Sequence, residues 1–389
     1  MKKVGLITYY GDNYGGVLQA YALQRRVKTY GYDCELISNA FMSRRRGRRR
    51  VKRLLENLGS AIKAPADYWN KRNTYRRYAA QNAKKAERFK AFREDNLTIC
   101  DVGYGSYGEY LERPPQYDVY LCGSDQIWNP NLHSETGFYF AGFAPDHAVK
   151  VSYASSVGVS SVTRKQADFM APLLNRLDVI STREQKGADI INAISEKTAA
   201  VVLDPTLLLN AEEWSEVAAP RLIDEPYIFC YLFGERDYIA KVKRTVQAMT
   251  GLRLVCIPYV SRELEAEDRK VFDAGPAEFV SLIKNAELVL TDSFHATAFS
   301  INLMTPFVSL CRFAKDDKKS MNDRLVTILS LTGLQDRLVD AGDPLDKDFL
   351  FNVDFERAHR LLQEKRREDS EFLRNALGFD KTGESHGDL

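Results

Sequence analysis

Four short polar stretches follow apolar, strand-like runs and carry the side chains best suited to chemistry. One of them, TDSFHATAF, comes directly after the apolar run ELVL. It presents Asp292, Ser293 and His295 at the start of a predicted helix. A histidine there can accept or donate a proton near neutral pH, and a neighbouring carboxylate can tune it. Ser293 with His295 also has the types of a nucleophile–base pair, without a GxSxG motif. Alternatively, Asp292 and Ser293 cap the helix and His295 is structural.

A second of these four stretches, and a separate later stretch, offer positive charge. Arg183 ends the apolar strand of ISTREQKGADI, and its planar guanidinium matches a phosphate or a carboxylate. The alternative for Arg183 is a salt bridge between domains. Lys315 lies in RFAKDDKKSMNDR with Lys318 and Lys319, after the strand that follows His295. One of these lysines could reach an anion in a cleft, or all three could belong to a solvated loop.

The stretch CGSDQIWNP has the composition of a sugar site. It follows a buried strand and presents Ser124, Asp125, Gln126, Trp128 and Asn129 close together. An indole ring can stack on a sugar ring while carboxylate and amide groups bind its hydroxyls. The alternative is that Ser124 or Asp125 caps a short helix and Trp128 packs in the core.

The first loop, GDNYGG, opens a helix after the first predicted strand. Asn13, Tyr14, Gly15 and Gly16 are its candidate binding residues. Glycines let the backbone approach a ligand, and the helix N-terminus offers free N–H groups. The loop has neither the GK[ST] of a P-loop nor GxGxxG, so it does not indicate a nucleotide site. The alternative is a tight turn capped by Asn13.

Alternating strands and helices must position these stretches. The predicted strands are continuously apolar, which is typical of parallel sheets covered by helices on both faces. The alternation restarts near residue 226 and predicts an α/β fold of two Rossmann-like, doubly wound domains facing a cleft. We expect residues 1–210 to form the first domain, with a charged helical insertion at about 43–96. Residues 226–353 form the second, and 354–389 a C-terminal helix and tail. Ligands in such sheets bind at the carboxyl ends of strands.

Composition excludes several classes of protein. The 389 residues carry a net charge of +2 and are 44% hydrophobic, as in ordinary globular domains. No apolar run approaches the roughly 18 residues that span a bilayer, and no signal peptide is evident. The six cysteines lack CxxC spacing and the five histidines form no cluster, so we expect reduced thiols, no metal site and a cytoplasmic protein.

A basic block stands out against this balanced charge. Residues Arg44 to Arg53 read RRRGRRRVKR. The block is either a solvated helix face or a surface that docks on anionic lipid and brings a lipid diphosphate acceptor to the cleft. Nucleic acid is disfavoured as a partner because no reader motif accompanies the charge.

Six motifs in order resemble the polysaccharide pyruvyl transferase family: NYGGVLQAYAL, GSDQIWNP, SYASSVG, STRE, LDPTLLL and TDSFHATAFSINLMTPF. The resemblance covers roughly residues 3–340. It implies a fold similar to that of GT-B glycosyltransferases, with phosphoenolpyruvate as donor and no other cofactor. It also implies a saccharide acceptor, often lipid-linked, that receives a pyruvate ketal during synthesis of a surface polysaccharide such as a capsule or exopolysaccharide.

The resemblance also implies roles for particular residues. Family members use an arginine, a histidine and a later basic residue at positions that match Arg183, His295 and Lys315. Some members have an arginine where this chain has Ser293, so an anion contact is missing or replaced. Our hypothesis is that His295 is the acid–base group and that Asp292 orients it or tunes its charge, while the GDNYGG loop faces the acceptor. A nucleotide-sugar glycosyltransferase and a non-catalytic glycan-binding protein remain the alternatives.

Overall fold

Two parallel sheets, one in each domain, organise the chain. The computed structural model describes residues 1–42, 77–132, 136–234, 236–259, 268–314 and 322–379. Every paired strand runs parallel to its neighbours, with helices in between. This is the doubly wound α/β architecture predicted from the continuously apolar strands. The domain boundaries drawn from the sequence remain a prediction.

The N-terminal sheet has the order β3-β2-β1-β4-β5, and β6 and β7 pair beside it. Single bridges from Val151 to Val179 and from Ser155 to Thr182 join this pair to the sheet. Val4 lies opposite both Cys34 and Val119, so β1 is buried at the centre of the sheet. The strands are β1 (Lys3–Ile7), β2 (Asp33–Ile37), β3 (Ile99–Cys100), β4 (Val119–Cys122), β5 (Val149–Ser152), β6 (Ile180–Thr182) and β7 (Ala199–Val201).

The C-terminal sheet has the order β10-β9-β8-β11-β12-β13. Its central strands read YIFCY and LVLT and are buried along their whole length, as expected for strands covered on both faces. The strands are β8 (Tyr227–Tyr231), β9 (Arg253–Cys256), β10 (Arg269–Lys270), β11 (Leu288–Thr291), β12 (Phe307–Leu310) and β13 (Leu338–Val339).

Helices follow most of the strands, and two short 3-10 turns lie at Phe138–Phe140 and Gln335–Arg337. No helix of the described ranges is long and apolar enough to cross a membrane. The helices are α1 (Tyr14–Thr29), α2 (Ala79–Asn96), α3 (Tyr107–Glu112), α4 (Arg164–Asn175), α5 (Gln185–Ile194), α6 (Pro205–Leu208), α7 (Ala211–Ser215), α8 (Asp237–Thr250), α9 (Pro276–Lys284), α10 (Phe294–Asn302), α11 (Asp323–Leu331), α12 (Lys347–Phe351) and α13 (Phe355–Leu377).

The charged insertion is a helix where the structure describes it. Helix α2 links the domains, because Arg88 pairs with Asp273 at 3.3 Å and with Glu278 at 3.1 Å. Residues 43–76 lie outside the described ranges, and the basic block from Arg44 to Arg53 lies among them.

Hydrophobic packing also joins the two domains. Tyr14, in the first turn of α1, stacks on Phe279 of α9 with ring centroids 4.6 Å apart. Its hydroxyl donates to the backbone carbonyl of Ala274 at 2.7 Å. Helix α13 returns to the N-terminal domain, where Asp369 accepts a hydrogen bond from the Leu203 N–H at 2.7 Å. The domains therefore meet across a packed seam.

The strand orders place four loops at this seam, two from each sheet. The chain leaves β1 for one side of the sheet and β4 for the other, and β8 and β11 do the same in the second sheet. In open α/β sheets, ligands bind beside the strands where the order reverses. The loops after β1 and β4 face the loops after β8 and β11, and most of the candidate residues lie in these four loops, whereas Arg183 follows β6.

Candidate active site

A buried ion pair lies at the centre of the site. Arg183 follows β6, and its side chain is fully buried. Nη1 donates to Oδ2 of Asp204 at 2.7 Å, and Nη2 donates to Oδ1 of Asp125 at 3.2 Å. Burying these charges is tolerable only because they compensate one another. Arg183 thus has two carboxylate partners from its own domain, which corrects the alternative of a salt bridge between domains.

Asp204 is a residue that the sequence analysis did not single out. Its Oδ1 accepts hydrogen bonds from the backbone N–H and the hydroxyl of Thr206, so it caps α6. Its Oδ2 accepts from Arg183 and, at 2.7 Å, from the hydroxyl of Ser124. Burial opposes ionisation, but the neighbouring His295 and Arg183 hold the pKa of Asp204 well below its usual range. Asp204 is therefore a fixed negative charge.

His295 comes to this pair from the other domain. It lies in the first turn of α10, and its side chain is 11% exposed. Nε2 is 3.4 Å from Nη1 of Arg183 and 3.7 Å from Oδ2 of Asp204. Arg183 can donate to Nε2 while that nitrogen carries no proton, and a protonated Nε2 faces the Asp204 carboxylate. Both protonation states of His295 therefore have a partner.

Asp292 does not orient His295, which corrects our hypothesis. Its carboxylate accepts the backbone N–H groups of Phe233 at 2.9 Å and Gly234 at 2.6 Å. Arg312 adds hydrogen bonds of 3.2 Å to each carboxylate oxygen. Asp292 therefore fixes the loop after β8, and Asp204 is the carboxylate beside the imidazole.

Gly15 makes room for the imidazole. A Cβ atom at this position would lie 2.0 Å from Nδ1 of His295, far inside van der Waals contact. At Gly16, a Cβ would meet Oδ2 of Asp125 and Cβ of Tyr9 at 3.5 Å, which is ordinary contact. The first glycine is thus required by the histidine of the opposite domain, and the second is not.

The family model of the polysaccharide pyruvyl transferases matches residues 13–310. The chain belongs to the polysaccharide pyruvyl transferase family. The resemblance stated from the six motifs is confirmed. A search of curated proteins finds no match.

Three solved structures are similar to this family member to different degrees. The UDP-GlcNAc 2-epimerase of Methanocaldococcus jannaschii is 13% identical with a TM-score of 0.50, over 97% of this chain and 99% of that one. The spinosyn rhamnosyltransferase SpnG is 12% identical with a TM-score of 0.45, over 96% and 99%. The E. coli heptosyltransferase WaaC is 13% identical with a TM-score of 0.39, over 93% and 99%. The epimerase confirms the predicted GT-B-like fold.

The sugar-site prediction for GSDQIWNP is wrong for its tryptophan. Trp128 is 1% exposed, stacks on Phe140 and donates its indole N–H to the carbonyl of Tyr139 at 2.9 Å. The amide of Asn129 donates to Oε1 of Gln126 at 2.8 Å, so these two side chains brace the loop. An aromatic core residue cannot stack on a sugar without unfolding the loop.

Asp125 and Ser124 remain at the site in other roles. The Ser124 hydroxyl is buried and holds Asp204, so it does not reach a sugar as predicted. Asp125 has a φ of +69°, which a non-glycine residue adopts at a cost of about 1–3 kcal/mol. Its carboxylate is 15% exposed and contacts Arg183. Asp125 is thus a partly exposed carboxylate that contacts the buried Arg183.

The structure corrects two predictions for the first loop of this transferase. Asn13 caps α1, because its Oδ1 accepts the Gly16 N–H at 2.9 Å. Tyr14 is buried in the other domain, so it cannot contact a ligand in the cleft as predicted. The loop therefore anchors and shapes the seam.

The remaining predicted residues have mixed outcomes. Ser293 precedes α10, and its hydroxyl makes no capping hydrogen bond to the helix. Lys315 lies outside the described ranges. Within those ranges, no group of three or more histidine, cysteine or acidic side chains could hold a metal ion.

Proposed function

We propose that this chain transfers the enolpyruvyl group of phosphoenolpyruvate to a saccharide and closes a pyruvate ketal on two of its hydroxyls. The family supports a pyruvyl transferase, and the position of His295 carries the proposal further. This histidine lies where the loop after β1 meets the loop after β11. It is held between the buried Arg183–Asp204 pair and Gly15, which leaves space for the ring. It is an ionisable group held in the cleft with a partner for each protonation state.

The reaction needs a proton donor and a proton acceptor in turn. A proton is added to the methylene carbon of phosphoenolpyruvate, and a sugar hydroxyl attacks C2 and loses its own proton. Phosphate then leaves with the C–O bonding electrons, and a second hydroxyl closes the ring and releases a proton. A histidine that cycles between its two states can perform these transfers. We assign them to His295, with Asp204 stabilising the imidazolium and Arg183 fixing the ring.

The loop after β8 favours a donor without a nucleotide. In a Rossmann domain, N–H groups of the first strand–helix turn bind the diphosphate of a nucleotide. Here the N–H groups of Phe233 and Gly234 donate to Asp292, which Arg312 holds in place. A diphosphate would have to displace this carboxylate. The observation supports phosphoenolpyruvate over a nucleotide sugar as donor, and detectable turnover would exclude the non-catalytic alternative.

The acceptor side of the proposal rests on the N-terminal domain. We propose that the saccharide approaches Asp125, a partly exposed carboxylate of this domain that contacts Arg183. A lipid-linked acceptor would place the enzyme in the cytoplasm at the inner face of the membrane, with the basic block from Arg44 to Arg53 as the lipid contact. We also propose that phosphoenolpyruvate is the only donor and that no metal takes part in these steps.

Ligand-dependent thermal stability tests the donor before the acceptor is known. A ligand at about 100 times its dissociation constant adds about 2.7 kcal/mol, which raises the melting temperature by several degrees. We expect phosphoenolpyruvate, and not a panel of nucleotide sugars, to produce this shift. A shift with a nucleotide sugar alone would overturn the proposal in favour of a glycosyltransferase.

A pair of histidine variants tests the assigned role. We expect His295→Asn to lose phosphate release from phosphoenolpyruvate in the presence of acceptor. His359→Asn is the control, because that imidazole lies 2.9 Å from the carbonyl of Ile301 on another face of α10. Full turnover by the His295 variant would remove the histidine from the mechanism, whatever the donor.

A further inference from the structure

A pocket lies between the domains on the far side of Arg183 from His295. The N-terminal domain lines it with residues 158–160, Glu184 and Lys186, and the C-terminal domain with Asp323 and Arg324. The Asp323 carboxylate accepts the backbone N–H of Lys186 at 3.2 Å, which fixes the two walls together. The pocket therefore exists only while the domains are in contact.

Three buried polar atoms have no hydrogen-bond partner: two belong to residues that line this pocket, and one to Arg183, next to the lining residue Glu184 in the chain. They are Nε of Arg183, Oε2 of Glu184 and Nε of Arg324. The first two are 3.8 Å apart, so they partly compensate each other. Arg324 makes no hydrogen bond or ion pair with any residue in the described parts of the chain. Buried donors are nearly always paired in folded proteins, so the buried Nε of this partly exposed arginine indicates a missing acceptor at the pocket.

The surroundings make this arginine unfavourable without a ligand. It lies in the first turn of α11, where the helix dipole favours negative charge and opposes a cation. Burial and then the charge of Arg183 lower the pKa of Arg324 to about 10, with Arg312 adding to the effect and Glu184 opposing it. Arg324 still carries its proton at neutral pH. An anion in the pocket would pair with this charge and also meet the positive end of the helix.

We infer that Arg324, assisted by the ammonium group of Lys186, binds an anionic group of the donor in this interdomain pocket. The chemistry is that of a phosphate or a carboxylate, both of which accept paired hydrogen bonds from a guanidinium. The assignment to the donor rests on the proposed function, whereas the anion site itself does not. Phosphoenolpyruvate carries both groups, so the test separates them with inorganic phosphate and with pyruvate.

The variant Arg324→Met keeps most of the side-chain volume and removes the charge. Arg367→Met is its control, since it removes the same charge from an exposed position on α13. We measure the melting temperature of the full chain without ligand, and with phosphoenolpyruvate, inorganic phosphate or pyruvate at matched ionic strength. Isothermal titration then gives the dissociation constants.

A ligand-binding arginine predicts two results together. Without ligand, Arg324→Met should melt at the same temperature as the wild type or higher, because an uncompensated charge is gone. Its affinity for phosphoenolpyruvate should fall about 10- to 100-fold, as expected when hydrogen bonding to a charged group is lost. The Arg367 variant should behave as the wild type. A phosphate-only shift lost in Arg324→Met assigns the site to the phosphate, and a pyruvate-only shift assigns it to the carboxylate.

The outcomes separate this inference from the proposed function. Unchanged phosphoenolpyruvate affinity in Arg324→Met overturns the inference and leaves the donor standing. A third outcome is that phosphoenolpyruvate leaves the melting temperature of the wild type unchanged while inorganic phosphate raises it, with the rise lost in Arg324→Met. That result overturns phosphoenolpyruvate as the donor and keeps the anion site. A lower melting temperature of the ligand-free variant with unchanged affinities identifies Arg324 as structural. No binding of any of the three anions by the wild type overturns both.

Discussion

The replacement Gly15→Ala tests whether the site depends on the contact between the first loop and His295. The new Cβ would lie 2.0 Å from Nδ1 of His295, whereas ordinary contact begins at 3.4 Å. The imidazole must therefore move by at least about 1.4 Å, or the domains must separate by a similar distance. A misplacement of about 1 Å costs roughly 100-fold in rate, so we expect turnover to fall by at least that factor. Phosphate release from phosphoenolpyruvate with acceptor measures it.

Gly16→Ala is the matched control for this experiment. Both glycines lie in the first turn of α1, so both changes raise helix propensity by roughly 0.5–1 kcal/mol. At position 16, however, the nearest atoms would be 3.5 Å from the new Cβ. We expect Gly16→Ala to retain near wild-type turnover, and Gly15→Ala to stay folded with a cost of about 1–3 kcal/mol from overpacking. Full activity of Gly15→Ala, or an equal loss in both variants, would refute the reasoning.

Three further predictions concern the ion pairs and the basic block. Because the folded pKa of Asp204 lies below its unfolded value, its contribution to stability is present above about pH 3.9 and is lost as the pH falls. Asp204→Asn should therefore cost about 3–5 kcal/mol in urea unfolding at pH 7 and about 1 kcal/mol less near pH 3, where the unfolded carboxyl is protonated but the folded one is not, and an equal loss at both would contradict it. Arg88→Gln should cost less than about 1 kcal/mol, with the difference from wild type shrinking in high salt, because its ion pairs to the second domain are partly exposed. Four glutamines in place of arginines between positions 44 and 53 should weaken vesicle binding but not turnover on a soluble acceptor, and unchanged vesicle binding would rule out the membrane contact.

The sequence was sufficient to predict the central strands and their helices. Runs such as PYIFCYLFG and ELVLTDS are apolar at every position, and the structure has β8 and β11 within them. Such strands can only be buried on both faces, so the class of fold follows. The short edge strands β10 and β13 escaped prediction because two residues carry too little pattern.

The functional roles of polar residues were harder to predict. Asp204 reads as a helix cap before Pro205, and one of its oxygens does cap α6. Its second oxygen accepts a hydrogen bond from Arg183, which follows β6 and lies 21 residues earlier in the chain. No local sequence pattern encodes that contact. Trp128 illustrates the reverse case, since an indole beside polar residues suggests a sugar platform while its stacking on Phe140 is visible only in the structure.

Consecutive residues of the first loop join the two domains around the histidine. Asn13 caps α1, and Tyr14 inserts into the aromatic cluster of the C-terminal domain. Because Tyr14 is anchored there, Gly15 is held against His295 and cannot drift from it. The same movement that separated the domains would extract Tyr14 from Phe279 and remove His295 from Arg183. We therefore expect the acid–base site to be assembled by closure of the seam, so that proton transfer and domain contact are lost together.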